Sequence, residues 1–208
     1  MFEKIKKLLF KKMAGRDYLL YSLIIAGGVL LDLLTKRIAE IHLLGRGRVE
    51  WIPGFLRMTY AENDGIAFGM LGGGGLGRVL FMTVSLLMIG AVGLYLFLGH
   101  AEHRGIGVSL SLICAGGIGN MIERVGKGYV VDFIDVLLYY PDFRNGGWAS
   151  YDFPIFNGAD SFVCVGAGLL FVLLLIDIFK ESKKNGAQGK KQPQDKQDEK
   201  SDGQDHTP

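Results

Sequence analysis

Several ionisable and amide side chains stand in stretches that otherwise carry no charge. Asp32, Asn120, Glu123, Arg124, Asp132, Asn157 and Asp160 all fall within or beside long apolar runs. Such groups are expensive in apolar surroundings, so each is a functional candidate. Asp132, in Val130-Val131-Asp132-Phe133-Ile134-Asp135, and Asp160 are the natural pair, each with an apolar flank. Two carboxyls held together at low dielectric cannot both ionise easily, so they share a proton and titrate as a unit. That pair can deprotonate a water and protonate a carbonyl or a leaving amine, the chemistry of metal-free peptide hydrolysis. The same residues also suit a proton relay, and spacing alone does not separate the two.

Other chemistries find less support. His42, His100, His103 and His206 fall in loops or the tail, away from the cluster, against a His-based metal centre. Cys114 and Cys164 sit in apolar runs and read as packing residues, and two cysteines exclude a disulfide-dense scaffold. Ser161 has no His or Lys placed to activate it. Neither metal nor cofactor is expected. A net charge of +2 with no basic run interleaved with aromatics excludes a nucleic-acid partner. Plainer roles compete for some residues. Asp160 can be a helix cap, and Glu123–Arg124 an interfacial ion pair. Asp135, Asp142 and Asp152 read as solvated loop carboxylates, and Asp177 as an interfacial anchor.

The elements that must position these groups are membrane helices. Residues 181–208 hold six Lys and six acids, leaving 17 basic and 15 acidic residues for the first 180 positions. Val79–Gly99 is uncharged over 21 residues and Gly105–Ile122 over 18, where about 20 suffice for a span. Ser161–Ile176 gives 16 and Tyr18–Leu31 gives 14 before Asp32 interrupts. This predicts an α-helical membrane protein with four transmembrane helices near 17–35, 79–99, 105–125 and 160–179. The Gly- and Ala-rich third helix belongs at the bundle centre. Lys4, Lys6, Lys7, Lys11, Lys12 and Arg16 precede the first span, and Lys180, Lys183 and Lys184 follow the last. Both termini are then cytoplasmic, and the polar groups converge at the extracytoplasmic interface. No A-x-A site follows the first apolar run, so it reads as an uncleaved anchor.

Three regions result: a basic cytoplasmic N-terminus (1–16), a four-helix membrane domain (17–180) and a disordered charged cytoplasmic tail (181–208). Phe2–Met13 suits a basic amphipathic helix. Outside the membrane, Val49–Trp51 and Phe55–Tyr60 read as short strands around a Pro53–Gly54 turn, a small β-rich platform. The segment 126–159 is aromatic and Gly-rich. Tyr139, Trp148 and Tyr151 suit either a headgroup-level belt or a lid over the site.

Four segments together resemble the bacterial lipoprotein signal peptidase (signal peptidase II) family. They are Asp32-Leu33-Leu34-Thr35-Lys36, Asn63-Asp64-Gly65-Ile66-Ala67-Phe68, a stretch from Gly116 to Ile134, and Phe156-Asn157-Gly158-Ala159-Asp160. The third contains Gly119-Asn120-Met121-Ile122-Glu123-Arg124 and Gly128-Tyr129-Val130-Val131-Asp132-Phe133-Ile134. The resemblance covers about 17–180. It implies a monomeric aspartic endopeptidase of the bacterial cytoplasmic membrane, with a four-helix bundle, an outside platform and its active site at the extracytoplasmic face. Its partners would be membrane lipids and prolipoproteins whose lipobox cysteine carries diacylglycerol, cut N-terminal to that cysteine. Asp132 and Asp160 take the catalytic positions. Asn63, Asn120, Arg124 and Asn157 match substrate-binding or supporting positions, and Asp32 and Lys36 a supporting element. Glu123 stands where the family commonly has Asp, Gly69 where Ser is frequent, and Leu137–Ile155 is longer than usual. Two other functions fit the same polar cluster: a small ion or proton transporter, and a non-catalytic lipid-binding or assembly subunit. Transporters place such groups at the bilayer midplane on broken helices or repeats, and no repeat is found here.

Overall fold

The computed structural model describes residues 14–65, 75–98, 104–142, 144 and 146–189. Phe2–Met13 and the tail from 190 onward lie outside the described residues. The described residues form four helices: α1 (Gly15–Leu43), α2 (Gly75–Phe97), α3 (Arg104–Lys127) and α4 (Gly158–Gly189). A four-stranded antiparallel sheet joins them, formed by β1 (Arg48–Ile52), β2 (Leu56–Asn63), β3 (Val130–Pro141) and β4 (Trp148–Asp152) in that order. The chain divides into two compact units, residues 1–170 and residues 171–208. The first holds the sheet, α1 to α3 and the start of α4. The second begins with the remainder of α4, which is helical to Gly189, past position 181 where the tail was expected to begin.

Among the described residues, three helices are long and apolar enough to cross a membrane: Gly15–Leu43, Arg104–Lys127 and Gly158–Lys180. The apolar stretch of α2, Met82–Phe97, is shorter. α1 does not stop near residue 35. Asp32 and Lys36, one turn apart, pair with each other at 2.7 Å and are buried, so the helix continues through them to Leu43. In contrast, large apolar side chains such as Leu19, Leu23, Val79 and Val165 are exposed, as lipid-facing positions are.

α3 is the hub of the first unit. Its small residues lie against each of the other helices: Gly107 faces Tyr21 of α1, Gly117 faces Ile89 of α2, and Gly116 faces Ala159 and Val163 of α4. At each position an added methyl would collide, so close backbone approach depends on the missing side chain.

β1 and β2 meet through the Pro53–Gly54 turn, where Gly54 has φ +70°, a left-handed conformation that glycine adopts without strain. The aromatic, Gly-rich segment 126–159 contains β3 and β4. Its Val-, Ile-, Tyr- and Phe-rich run is what strands favour. β3 runs antiparallel to β2, pairing Asp132 with Ala61 and Val130 with Asn63. Asp135 is not a solvated loop carboxylate. It is 1% exposed, bonded to Arg57 at 2.6 Å and Thr59 at 2.9 Å, and 3.3 Å from Arg48. Arg57 also bonds Asp152 of β4. One buried guanidinium therefore ties β2, β3 and β4 together. Asp135 and then Asp152 hold Arg57 above its ordinary range, and Arg57 holds the Asp152 carboxyl below its own.

Candidate active site

Asn157 is the centre of the site. It precedes α4, and its Oδ1 accepts the Asp160 amide at 3.0 Å while Asp160 Oδ2 accepts the Asn157 amide at 3.1 Å. This is a reciprocal capping box, with Asn157 as the cap and Asp160 at the third helical position. The plain capping role considered for Asp160 is therefore real for one of its oxygens. The other, Oδ1, accepts from Asn120 Nδ2 of α3 at 2.8 Å.

The Asn157 side chain also reaches β3. Its Nδ2 donates to Asp132 Oδ1 at 2.6 Å and to Asn120 Oδ1 at 3.1 Å. Asp132 Oδ2 accepts from Asn63 Nδ2 of β2 at 2.9 Å. A single fully buried asparagine thus links the carboxylates of two separate segments, bonding one with its side chain and the other with its backbone.

Behind this row lies a buried ionic layer. Lys36 Nζ donates to Asn120 Oδ1 at 2.7 Å and stands 2.7 Å from Asp32 Oδ2 and 3.3 Å from Glu123 Oε2. An ammonium only donates, so it obliges the Asn120 oxygen to face it and leaves the Asn120 amide hydrogens for Asp160. Asp32 Oδ1 accepts the Ala159 amide at 2.8 Å, which fixes the start of α4 to α1. Glu123 Oε2 accepts the Val131 amide at 2.9 Å, beside Asp132 on β3, and Glu123 Oε1 lies 3.1 Å from Lys127. Gly128, at φ +85°, ends α3 and turns the chain into β3.

Seven of the sequence-predicted residues therefore form one hydrogen-bonded and ion-paired chain: Asp32, Lys36, Asn63, Asn120, Asp132, Asn157 and Asp160. Arg124 is half-buried and within electrostatic reach of Asp160, Asp132 and Glu123. Glu123, a sequence candidate also read as an ion-pair partner of Arg124, joins this layer, and Lys127 with it was not anticipated. The four-residue spacing between them, one helical turn, was the available signal.

Burial differs between the two carboxyls. Asp132 is 3% exposed, and burial pushes its carboxyl up to about 6. The Asn63 hydrogen bond opposes that rise, the neighbouring Asp160 charge adds to it, and the Asn157 bond and Lys36 oppose it less strongly. Asp160 is half-buried and more open. Such a pair can hold one proton between them and present a carboxyl and a carboxylate together. Among the described residues, no group of three or more His, Cys, Asp and Glu is placed to hold a metal ion.

Comparison with known proteins points in one direction. The signal peptidase (SPase) II family matches residues 24–176. A lipoprotein signal peptidase of Symbiobacterium thermophilum is 39% identical over 148 residues, 71% of this chain and 89% of that protein. One of Geobacter metallireducens is 33% identical over 169 residues, 81% of this chain and 98% of its own length. A bacterial membrane enzyme solved in meso at 1.9 Å superposes with a TM-score of 0.61 at 35% identity, covering 74% of this chain and 92% of that one.

Proposed function

Since the chain belongs to the signal peptidase II family, we propose that it is a membrane aspartic endopeptidase that removes signal peptides from prolipoproteins. The bond cut is the one N-terminal to a lipobox cysteine already carrying diacylglycerol. The observation that supports this best is the Asn157 bridge, which brings Asp132 and Asp160 from β3 and α4 into one hydrogen-bonded unit.

In this reading Asp132, whose carboxyl burial raises to about 6, carries the shared proton, and Asp160 is the carboxylate. Asp160 takes a proton from a water as its oxygen bonds to the scissile carbonyl carbon. As the C–N bond breaks, the Asp132 proton passes to the leaving amine. Asn63, Asn120 and Asn157 orient the two carboxyls, and Arg124 supplies a charged donor for the substrate carbonyl. Asp32 and Lys36 hold the helices that carry them. All four helices cross the bacterial cytoplasmic membrane, both termini are cytoplasmic, and the site opens on the extracytoplasmic face. Residues 17–180 form the peptidase domain, working as a monomer.

The test is cleavage of a diacylglyceryl lipobox peptide by purified protein in detergent. Asp132→Asn and Asp160→Asn should each abolish turnover while leaving the protein folded, and EDTA should have no effect. The lipid anchors deliver the scissile bond to the membrane surface, each buried methylene contributing about 0.8 kcal/mol, so the unlipidated peptide should be cut far more slowly. Equal kcat/KM for the two peptides, or activity lost to EDTA and restored by zinc, would overturn the assignment.

A further inference from the structure

β3 continues well past the site. β2 pairs with β3 up to Val136, and from Leu137 to Pro141 the ladder partner of β3 is β4. The result is a two-stranded ribbon that projects from the sheet. Cross-strand partners share a face, so Leu138 and Tyr151 lie on one side, and Pro141 and Trp148 on the other. Tyr140 joins the first face and Tyr139 the second. All six side chains are exposed, Trp148 by 73%. An isolated two-stranded ribbon is at best marginal in water, and more so with both faces apolar.

Its surroundings are constrained in three ways. First, a partner groove covers one face, whereas this ribbon needs both wetted by an apolar medium. Second, β4 is the edge of the sheet, so its outer N–H and C=O groups need water and cannot enter hydrocarbon. Only the headgroup layer of a bilayer meets both demands, and it is where Tyr and Trp settle. Third, the ribbon starts at that depth. Asp132, on the same strand, is fixed to Asn157 at the start of α4, and Val131 to Glu123 in the last turns of α3. The ribbon charges, Asp142, Arg144 and the Arg57-bound Asp152, supply no basic patch, so neutral lipid suffices.

We propose that the β3–β4 hairpin is a lipid-surface foot, lying among the headgroups beside the site and holding the strand that carries Asp132 at that level. A lid role for the hairpin tip does not fit this geometry. Pro141 is nine residues from Asp132 along one strand, about 30 Å at the rise of an extended chain. The inference does not depend on the proposed reaction.

The chain has two tryptophans, Trp51 and Trp148, so Trp51→Phe leaves one reporter at the hairpin. The full-length protein, one copy per nanodisc, is titrated with phosphatidylcholine brominated near the acyl carbonyls and separately with aqueous iodide. Trp148 emission should be quenched several-fold more strongly by the lipid than by iodide. Quenching by iodide with none from the lipid would overturn the proposal, as would shielding from both, which would mean a protein contact. If Trp51→Phe does not fold, subtracting the signal of Trp148→Phe from that of the parent isolates the same emission.

Discussion

Replacing Lys36 by methionine removes the cation that touches Asp32, Glu123 and Asn120 together. Glu123 keeps Lys127 and the Val131 amide, so the group left uncompensated is Asp32, which is 0% exposed and retains only the Ala159 amide. Breaking a buried pair from one side costs about 3–5 kcal/mol. For a chain of this size that is a fall in Tm on the order of 10 °C. Adding Asp32→Asn removes the orphaned charge and keeps an oxygen for the Ala159 amide. The double variant should therefore recover all but about 1–2 kcal/mol, the cost of an imperfectly paired amide. Stability and activity should then part company. Without the ammonium, the Asn120 oxygen keeps the Asn157 amide at 3.1 Å but loses its shorter, charged donor, so the double variant should stay folded and cleave less well, through kcat more than KM. Unfolding can be followed with a thiol-reactive dye at the buried Cys114, after Cys164→Ser removes the exposed thiol. A Lys36→Met protein that melts with the parent would refute the compensation argument. A double variant as fragile as the single would refute the desolvation argument, and one with full activity would refute the positioning role.

Two further outcomes follow from the geometry. If Asp132 carries the catalytic proton, kcat/KM falls as pH rises through about 6, where that proton is lost. Asn63→Ala removes a bond that favours the ionised form and should move this limb to higher pH; a limb that stays put or moves down contradicts the assignment. On α3, Gly119→Ala would set a methyl carbon 2.5 Å from Asp32 Oδ2, which Lys36 pins, and should cost about 1–3 kcal/mol. Gly126→Ala on the same helix meets nothing within 4 Å and should be neutral or slightly stabilising in the same melts; equal losses at both positions would mean that helix propensity, not contact, is being measured.

The fold was legible where one local rule decided the element. The Pro53–Gly54 turn, the flanking strands and the small-residue face of α3 all follow from short-range chemistry. α1 was cut short because a charge was taken to end an apolar run, yet Asp32 and Lys36 are one turn apart and neutralise each other within the helix. β3 was missed for a different reason. Its residues from Val130 to Phe133 are all buried, so no alternation marks it as a strand. Asp135 looked like a loop carboxylate because its partner, Arg57, is 78 residues away in sequence and meets it only once the β2–β3 register is set.

The candidate site was more legible than the fold around it, because amides and carboxyls in apolar stretches are costly wherever they sit. What the residue types could not convey was direction. Asn157 read as one more donor beside the carboxyls, whereas its place as the cap of α4 lets its backbone amide bond the Asp160 carboxylate and its side-chain amide the Asp132 carboxylate. Glu123 read as a partner for the adjacent Arg124. On a helix, consecutive residues point some 100° apart, and the Glu123 carboxylate also meets Lys36, Lys127 and the Val131 amide. One oxygen stays with Lys127 while the other reaches both the ammonium behind Asn120 and the strand carrying Asp132. A Glu123→Gln protein would keep the Val131 bond and weaken both ion pairs, so the layer that orients Asn120 depends on the charge at this position as well as on its reach.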